Sequence, residues 1–396
     1  MQCIKNLLVI SLLLLSFTNP SMGFDDKSSF VPDYIFVGAG PVGLWTGVQL
    51  KTLQPDAKIL FFEKYEQYKR NHVLQINPKS YRGYAKGKHT DYLTRVHKGN
   101  VKTNSIENDL LDAAKQLGIK IEYSAVKDVE SLKKQFPNTR YFIGSDGSHS
   151  VMRSSTEKEN IFHQRALNYI VDLKYEIEGS GKTAKVLWSL LPKIRAKNHM
   201  IMEYMGKEKN GKTPVTLRLF INKDEFEQIQ GSSFKNPYTW ENDQDKLPAS
   251  LKQSISSWLN MKKDIYKERR VLGSAKIIPV LLQSYYNDSY AWSSELESQN
   301  VFLVGDAAFG VPFFRSLNNG LLCGTKLAHT LSNDMDSNQA LIDYNSYVKN
   351  LAFRETTLAR IKSNFVSLGV GMIWMMPKLP VYPNKHQHDV KVDSET

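Results

Sequence analysis

A glycine-rich turn near the amino terminus has residue types and spacing that suggest chemistry. Gly38, Gly40 and Gly43 follow the strand-forming residues 34–37 and precede an apolar, helix-like segment. In such a unit the first glycine permits a tight turn, the second lets a pyrophosphate approach the backbone, and the third lets the helix pack on the strand. Free N–H groups at the helix start also favour phosphate. The pattern predicts a dinucleotide site formed by Gly38, Ala39, Gly40, Pro41, Val42 and Gly43.

An acidic residue closes the next predicted strand, as a dinucleotide site requires. Residues 58–62 predict the strand, and Glu63 follows about 20 positions after the glycines, where a carboxylate accepts hydrogen bonds from ribose. Arg70 has the fork geometry that suits a pyrophosphate, but it is equally consistent with a solvated side chain in a basic loop. Lys64 and Val126 complete the predicted cofactor-binding residues of this part of the chain.

Two later turns also follow predicted strands. One strand ends at Gly144 and is followed by Asp146 in an Asp-Gly turn, where the carboxylate either braces the loop or binds a cofactor hydroxyl. The other, beginning at Val301, ends in Gly305 and Asp306. A proline turn and a predicted helix over 317–331 come next.

These three stretches together resemble the motifs of the class A FAD-dependent monooxygenases, the p-hydroxybenzoate hydroxylase superfamily. Their order, spacing and strand-turn-helix context agree over roughly residues 31–360. The matching residues are Gly38 to Gly43, Asp146, Gly147, Ser150, Arg153, Gly305, Asp306, Ala307, Ala308, Pro312, Asn318 and Gly320.

The resemblance implies FAD as the cofactor and NADPH or NADH as its reductant. It places Asp306 at the ribityl or ribose hydroxyls, Asp146 at the cofactor and its loop, and the backbone of Leu317 and Asn318 at the flavin ring, near Pro312. The implied reaction is hydroxylation of an unidentified substrate through a flavin C4a-hydroperoxide.

The sequence also departs from the family pattern. Phe309 replaces the usual histidine after Gly-Asp-Ala-Ala, Arg315 lies in a shortened glycine-rich segment, and the arginine expected at the start of the middle helix is replaced near Asn104. A reductase or oxidase on the same fold, or a binding protein without catalysis, therefore stays open. The tryptophan motif of flavin halogenases is not evident. A short stretch, residues 70–74, is similar to the MICAL actin monooxygenases.

No catalytic base stands out among the available side chains. His72, His149 and His163 are each more typical of a surface or loop position. Arg315, beside the expected flavin, is the candidate for contacting an anionic group, or else it is a structural ion-pair partner.

The element pattern predicts an α/β composite: a Rossmann-like FAD-binding domain with a parallel sheet, an inserted antiparallel substrate domain, and carboxy-terminal helices. Residues 77–102 lack periodicity and predict a mobile connection. The predicted divisions are 24–160 and 287–335 for the FAD-binding domain, 161–286 for the substrate domain, and 336–396 for the final helices and tail.

The first residues predict a secretory signal peptide over 1–23, from Lys5, the apolar run 7–15 and small residues 21–23. The alternative is an uncleaved anchor. If the signal is real, we expect the protein to be exported to a periplasm or a lumen or to be secreted. Otherwise we expect it to be cytoplasmic. Removal would leave Cys323 as the single thiol, predicted to be buried.

Composition indicates an ordinary globular protein, with 396 residues, 41% hydrophobic residues and a net charge of +12. No nucleic-acid motif accompanies the excess of basic residues. We therefore interpret it as serving the binding of a flavin pyrophosphate and the solvation of the surface. We predict a small-molecule substrate, with a protein substrate also open, no metal, and no membrane span after signal removal.

Overall fold

The computed structural model describes part of the chain, residues 30–66, 73–155, 162–182, 199–294, 299–312, 315–333 and 335–375. The predicted signal peptide, the carboxy-terminal tail, Arg70 and His72 lie outside these residues, as does most of the MICAL-like stretch. In the part of the chain that is described, no helix is long and apolar enough to cross a membrane.

Strands of two large sheets and one small sheet alternate with helices. The strands are β1 (Tyr34–Val37), β2 (Ile59–Phe62), β3 (Val73–Ile76), β4 (Gly99–Lys102), β5 (Lys120–Glu122), β6 (Tyr141–Gly144), β7 (Phe162–Glu178), β8 (Met200–Met205), β9 (Lys212–Ile221), β10 (Tyr238–Thr239), β11 (Lys276–Asn287), β12 (Ala291–Ser293) and β13 (Asn300–Leu303). The α-helices are α1 (Pro41–Leu53), α2 (Lys88–Val96), α3 (Thr103–Gln116), α4 (Val129–Gln135), α5 (Val151–Ser154), α6 (Lys223–Gln228), α7 (Ala249–Tyr266), α8 (Ser316–Ser332) and α9 (Ser337–Met375).

The first sheet has the strand order β12-β13-β6-β1-β2-β5. All pairs are parallel except β12 with β13. The central strands β1, β2 and β13 are buried along their whole length, as expected when helices cover both faces of a parallel sheet. This arrangement confirms the predicted α/β fold with a parallel sheet.

The second sheet has the order β10-β11-β7-β9-β8 and is antiparallel throughout. Alternate residues of β7, such as Val171 and Leu173, point to one face and pack against α7. That helix contributes Leu251, Ile255 and Trp258, whose spacing places them on one side. The predicted antiparallel character of the middle of the chain is confirmed, although its division into domains stays a prediction.

Helices α1 and α8 lie side by side over the first sheet. Trp45 of α1 is buried, and its indole N–H donates to the carbonyl of Leu321 at 3.2 Å and to the Thr325 hydroxyl at 3.1 Å. Gln49 donates to the same hydroxyl at 3.0 Å. These bonds link the helix after the first motif to the helix after the third.

The connection over 77–102, predicted to be mobile and without periodicity, contains regular secondary structure. The segment contains a short 3-10 helix (Pro78–Tyr81), helix α2, and strand β4, which pairs with β3. Helix α2 has nine residues, of which only Thr90 and Leu93 are buried, so it is a short surface helix.

Candidate functional site

The three motifs meet at the carboxyl edge of the parallel sheet. Val37, the last residue of β1, pairs with Phe62 on one side and Gly144 on the other, and Gly144 pairs with Leu303. The next residue of each strand therefore begins a loop on the same edge. Neighbouring strands are about 4.8 Å apart, so four strand ends span roughly 15 Å. This edge is where open α/β sheets bind ligands.

The glycine turn combines two crowded positions with one open position. Gly38 has φ +99°, and a Cβ on it would lie 2.6 Å from the carbonyl oxygen of Ser145. A Cβ on Gly43 would lie 2.5 Å from the Gly38 oxygen and from the Ser145 hydroxyl. At Gly40, the residue that caps α1, a Cβ would meet no atom within 4 Å. The open space therefore lies at the helix start, where the backbone can approach a ligand.

Glu63 stands beside this turn at the end of β2. One carboxylate oxygen accepts a hydrogen bond from the backbone N–H of Ala39 at 2.7 Å, and the other accepts from that of Tyr65 at 3.0 Å. The carboxylate thus contacts the glycine turn directly and is half-buried. Lys64 is exposed, with its ammonium 5.3 Å from the Tyr65 ring centroid.

Asp146 braces its own loop. One of its carboxylate oxygens accepts hydrogen bonds from the backbone N–H groups of Val151 at 2.7 Å and Met152 at 3.3 Å, at the start of α5. Burial raises the pKa of the Asp146 carboxyl despite these bonds. Ser150 caps the same helix by accepting from the N–H of Arg153 at 3.0 Å. The structure therefore shows loop bracing by Asp146, while its contact with a cofactor hydroxyl stays a prediction.

Arg153 joins the second motif to the third. Its guanidinium donates to the carbonyl of Ser148 at 2.6 Å and to that of Ala307 at 3.2 Å. It also lies over the rings of Phe162 and Tyr285, 4.6 Å and 5.6 Å from their centroids. One side chain therefore holds two loops of the site and the first strand of the second sheet.

Strand β11 supports the turn of the third motif from the other side. The Tyr285 hydroxyl donates to the carbonyl of Asp306 at 2.9 Å, and the Asn287 amide donates to that of Ala308 at 2.5 Å. Phe309, which occupies the usual histidine position, is buried. Its ring centroid lies 6.5 Å from that of Tyr290, and the two rings meet edge to face. Asp306 is half-buried, and its loop leads to the half-buried Pro312.

The first turn of α8 lies next to the first motif. Gly320 and Gly305 both face Val42: a Cβ on Gly320 would lie 2.5 Å from one Val42 methyl, and a Cβ on Gly305 would lie 3.1 Å from the other. Leu317 is half-buried in this turn, where a backbone N–H has no acceptor within the helix. Two helix starts therefore stand together at one edge.

Asn318 connects α8 to the segment after β3. Its amide oxygen accepts from the N–H of Asn77 at 2.8 Å and from the Ser80 hydroxyl at 2.6 Å, while its amide nitrogen donates to the carbonyl of Gln75 at 2.9 Å. The side chain thus positions the start of α8 against residues that the sequence had suggested were mobile.

Arg315 is a structural ion-pair partner. Its guanidinium forms two hydrogen bonds with Glu355 of α9, the one from Nη2 at 2.7 Å. Asn319 donates to the same carboxylate at 3.3 Å. The Glu355 side chain has no exposed surface. Of the two roles predicted from the sequence, the structure shows the ion pair, while the contact with an anionic group stays a prediction.

Val126, His149 and His163 are the remaining candidates among the described residues. Val126 is half-buried against the main core. A surface depression of about 510 Å³ lies next to it in the chain, lined by Lys127, Asp128, Val129, His149, Ser150, Val151, Arg153, Ser154 and Ser155. His163 pairs with Asp288 at 2.8 Å and stacks on Tyr286, which fits the predicted surface position.

Some supporting residues were missed by reasoning from the sequence. Ser145 lies against two glycines of the first motif, and its hydroxyl donates to the Gly38 carbonyl at 2.6 Å. Tyr285, Asn287 and Ser80 hold other loops of the site. Of the residues that hold these loops, only Arg153 was marked by a sequence motif, because it ends the second one.

Three solved structures with a similar fold are a Diels-Alderase, a brominase and a tetracycline destructase. The Diels-Alderase PyrE3 shares 15% identity over 86% of this chain and 77% of its own, with a TM-score of 0.56. The flavin-dependent brominase Bmp2 shares 12% over 87% and 89%, with a TM-score of 0.54. The tetracycline destructase Tet(51) shares 14% over 89% and 99%, with a TM-score of 0.52. Neither the protein-family models nor the curated sequences give a match.

Proposed function

We propose that this chain is an FAD-dependent monooxygenase that uses a nicotinamide to reduce its flavin and O2 to hydroxylate an unidentified substrate, with a small molecule as the expected class. The observation that carries this proposal is the open position at Gly40, between the crowded Gly38 and Gly43. A pyrophosphate needs close approach to the backbone at that point, and the two crowded glycines keep the turn and helix in place for it.

The residues around Gly40 fit the rest of a dinucleotide. The start of α1 offers N–H groups and a partial positive charge to phosphate. Glu63, held at the turn through the Ala39 N–H, is placed to accept hydrogen bonds from ribose. Asp306 follows β13, two strands from the glycine turn, and is proposed to accept from ribityl hydroxyls. Gly38 to Gly43, Glu63 and Asp306 would therefore hold FAD along one edge of the sheet.

The chain would orient the flavin and stabilise charge on it. FAD supplies hydride acceptance and oxygen activation when it is bound. The first turn of α8, at Leu317, is proposed to direct its positive dipole end at the pyrimidine part of the ring. Asn318 and Arg153 would keep that turn and the neighbouring loop fixed, through the hydrogen bonds described above. The antiparallel sheet is proposed to carry the substrate side of the site.

A reductase or oxidase on the same fold is the second candidate. It is favoured by Phe309, which is buried where the monooxygenase motif has a histidine, and by the engagement of Arg315 with Glu355. The similar structures include a brominase, a tetracycline destructase and a Diels-Alderase, so the shared fold does not select a substrate.

The test compares the purified protein with a Gly40→Val variant. Valine tolerates the extended φ of −71° and ψ of 174° at this position and meets open space. Because valine is a poorer N-cap of α1 than glycine, the protein without cofactor should lose no more than about 1 kcal/mol in the free energy of unfolding. The FAD dissociation constant should rise by roughly tenfold or more, because the side chain enters the pyrophosphate space. A stable variant that binds FAD like the wild type would contradict the proposed cofactor position.

The reaction is tested by mixing the FAD-loaded protein with NADPH or NADH, with and without O2 and candidate substrates. Hydroxylated product formed with nicotinamide oxidation supports the monooxygenase. If the flavin is reduced but every candidate substrate gives only hydrogen peroxide, the oxidase is supported. If neither NADPH nor NADH reduces the flavin, the proposed reductant is contradicted. Protein with no affinity for FAD contradicts both candidates.

A further inference from the structure

The outward surface of α9 carries apolar side chains along one stripe. Arg354, Leu358, Ile361 and Phe365 are separated by four, three and four residues, which places them on one side of a helix. The exposed fractions are 39% for Leu358, 45% for Ile361 and 70% for Phe365. We call these four residues the α9 stripe. Because Glu355, Ala359 and Ser363 of the same turns face inward and are buried, the stripe is not part of the core.

The exposed charges on this part of α9 have one sign. Between Tyr344 and Phe365, the exposed charged residues are Lys349, Arg354 and Lys362, and all three are basic. The single acid of this segment, Glu355, is fully buried against Arg315. The whole chain also carries a net charge of +12. Large apolar groups and basic groups therefore share the outer surface of α9, which is complementary to an anionic, partly apolar surface.

The length and sequence of the helix favour a position along such a surface. From Arg354 to its last residue, Met375, α9 extends about 32 Å. The sequence from Phe365 to Met376 contains no charged residue. Apolar groups on one side, with basic groups beside them, are typical of helices that lie in a bilayer interface.

We propose that the α9 stripe docks the protein on the surface of a bilayer that contains anionic lipid. Leu358, Ile361 and Phe365 enter the boundary between head groups and acyl chains. Lys362 contacts the lipid phosphates, together with Arg354, whose side chain is 62% exposed although one of its nitrogens lies 3.4 Å from Glu355. The inference goes beyond the proposed flavin chemistry and does not depend on it, since it concerns the outer side of a helix whose inner side supports α8.

Vesicle co-sedimentation of the full chain tests the proposal, with phosphatidylcholine vesicles and with vesicles that also contain phosphatidylglycerol. The wild type should bind the anionic vesicles more tightly, and added salt should weaken this binding because it screens the basic residues. An Ile361→Asp/Phe365→Asp variant should bind the anionic vesicles roughly tenfold or more weakly. Two apolar groups are removed from the interface, and two negative charges are added that the lipid phosphates repel.

Ile342→Asp is the matched control. Ile342 is 63% exposed on the same helix, but it lies about 28 Å along the axis from Ile361. Its variant should bind vesicles within about twofold of the wild type. Circular dichroism must show the same thermal unfolding for all the variants that are compared.

Three outcomes would overturn the proposal. The first is that the wild type does not bind anionic vesicles, and the second is that the stripe variant and the Ile342 control lose vesicle affinity equally. The third is that light scattering shows a dimer of the wild type, and that the stripe variant is monomeric but binds vesicles as the wild type does. The last outcome would assign the stripe to a second copy of this chain.

Discussion

Val42, in the first turn of α1, lies against Gly320 near the start of α8, and no side chain would fit between them. A Cβ at position 320 would stand 2.5 Å from a Val42 methyl and 3.3 Å from the Cα of Gly305. The first and third motifs are therefore in direct contact, and this contact sets the relative position of two helix starts. It explains why a glycine is needed inside α8, where glycine costs about 1 kcal/mol relative to alanine.

Gly320→Ala should destabilise the protein despite the better helix propensity of alanine. The methyls of valine rotate little in a helix, so the added Cβ must move α1 or α8. Overpacking of this kind costs about 1–3 kcal/mol in the free energy of unfolding, measured by urea denaturation. The Val42→Ala/Gly320→Ala double variant should recover part of the loss. An alanine variant as stable as the wild type would contradict the close contact.

Arg153→Lys should weaken both the fold and FAD binding. Lysine keeps the charge but lacks the planar fork that reaches the carbonyls of Ser148 and Ala307 together. We expect a loss of about 1–3 kcal/mol in unfolding free energy and a higher dissociation constant for FAD by fluorescence titration. Arg165→Lys, at an exposed position of β7, is the control and should stay within about 0.5 kcal/mol of the wild type.

Arg315→Gln should destabilise the packing of α9 on α8. It leaves the buried Glu355 carboxylate with Asn319 and with Arg354, whose nitrogen is 3.4 Å away. Loss of one partner of a buried ion pair costs about 3–5 kcal/mol, and the remaining partners reduce our expectation to about 2–3 kcal/mol in urea unfolding at neutral pH. Glu355→Gln in the same background should restore stability, because it removes the buried charge. Failure of that restoration would mean that Arg315 acts through another contact.

The effect of Arg315→Gln should depend on pH. Burial by itself would raise the pKa of Glu355, but the hydrogen bond and charge of Arg315 outweigh it and hold the pKa below the ordinary 4.5. The folded carboxyl therefore releases its proton more easily than the unfolded one. The resulting stabilisation is present above about pH 4.5 and is lost as the pH falls through the lower folded pKa.

Urea denaturation of both proteins between about pH 3 and 8 measures this dependence. The difference in unfolding free energy should be constant near neutral pH and should shrink in acid. A difference that stays constant to the lowest pH would show that the titration of Glu355 does not contribute.

Cys323 should resist thiol reagents in the native protein. The side chain is fully buried, and this burial raises the pKa of its thiol to about 12, so little nucleophilic thiolate exists at neutral pH. A colorimetric thiol assay should detect no fast reaction before denaturation. After denaturation it should detect one thiol if residues 1–23 have been removed, and two if Cys3 remains. Mass spectrometry of the mature amino terminus decides the same question independently, and an intact Met1 would contradict the predicted signal cleavage.

The order of strands and turns was predictable because it depends on short-range patterns. Residues 34–37 are apolar and directly precede three glycines at fixed spacing, so the strand, turn and helix follow from local sterics. The same holds for the strands before Asp146 and Asp306. The regular elements within 77–102 were not predicted because they are short: α2 has nine residues and β4 has four, fewer than the window over which a periodic pattern can be recognised.

From the sequence alone, residue types and local spacing determined that an α/β fold with a glycine turn would form. Only the tertiary structure decided what the polar side chains contact. The Ala307 carbonyl that Arg153 binds lies 154 positions along the chain from it. The Asn77 N–H that Asn318 binds is 241 positions away, and the Glu355 carboxylate that Arg315 binds is 40 positions away. Which loops meet depends on strand order and on the packing of α1, α8 and α9. No local pattern encodes these distances, because the partners become neighbours only when the sheet and its helices assemble.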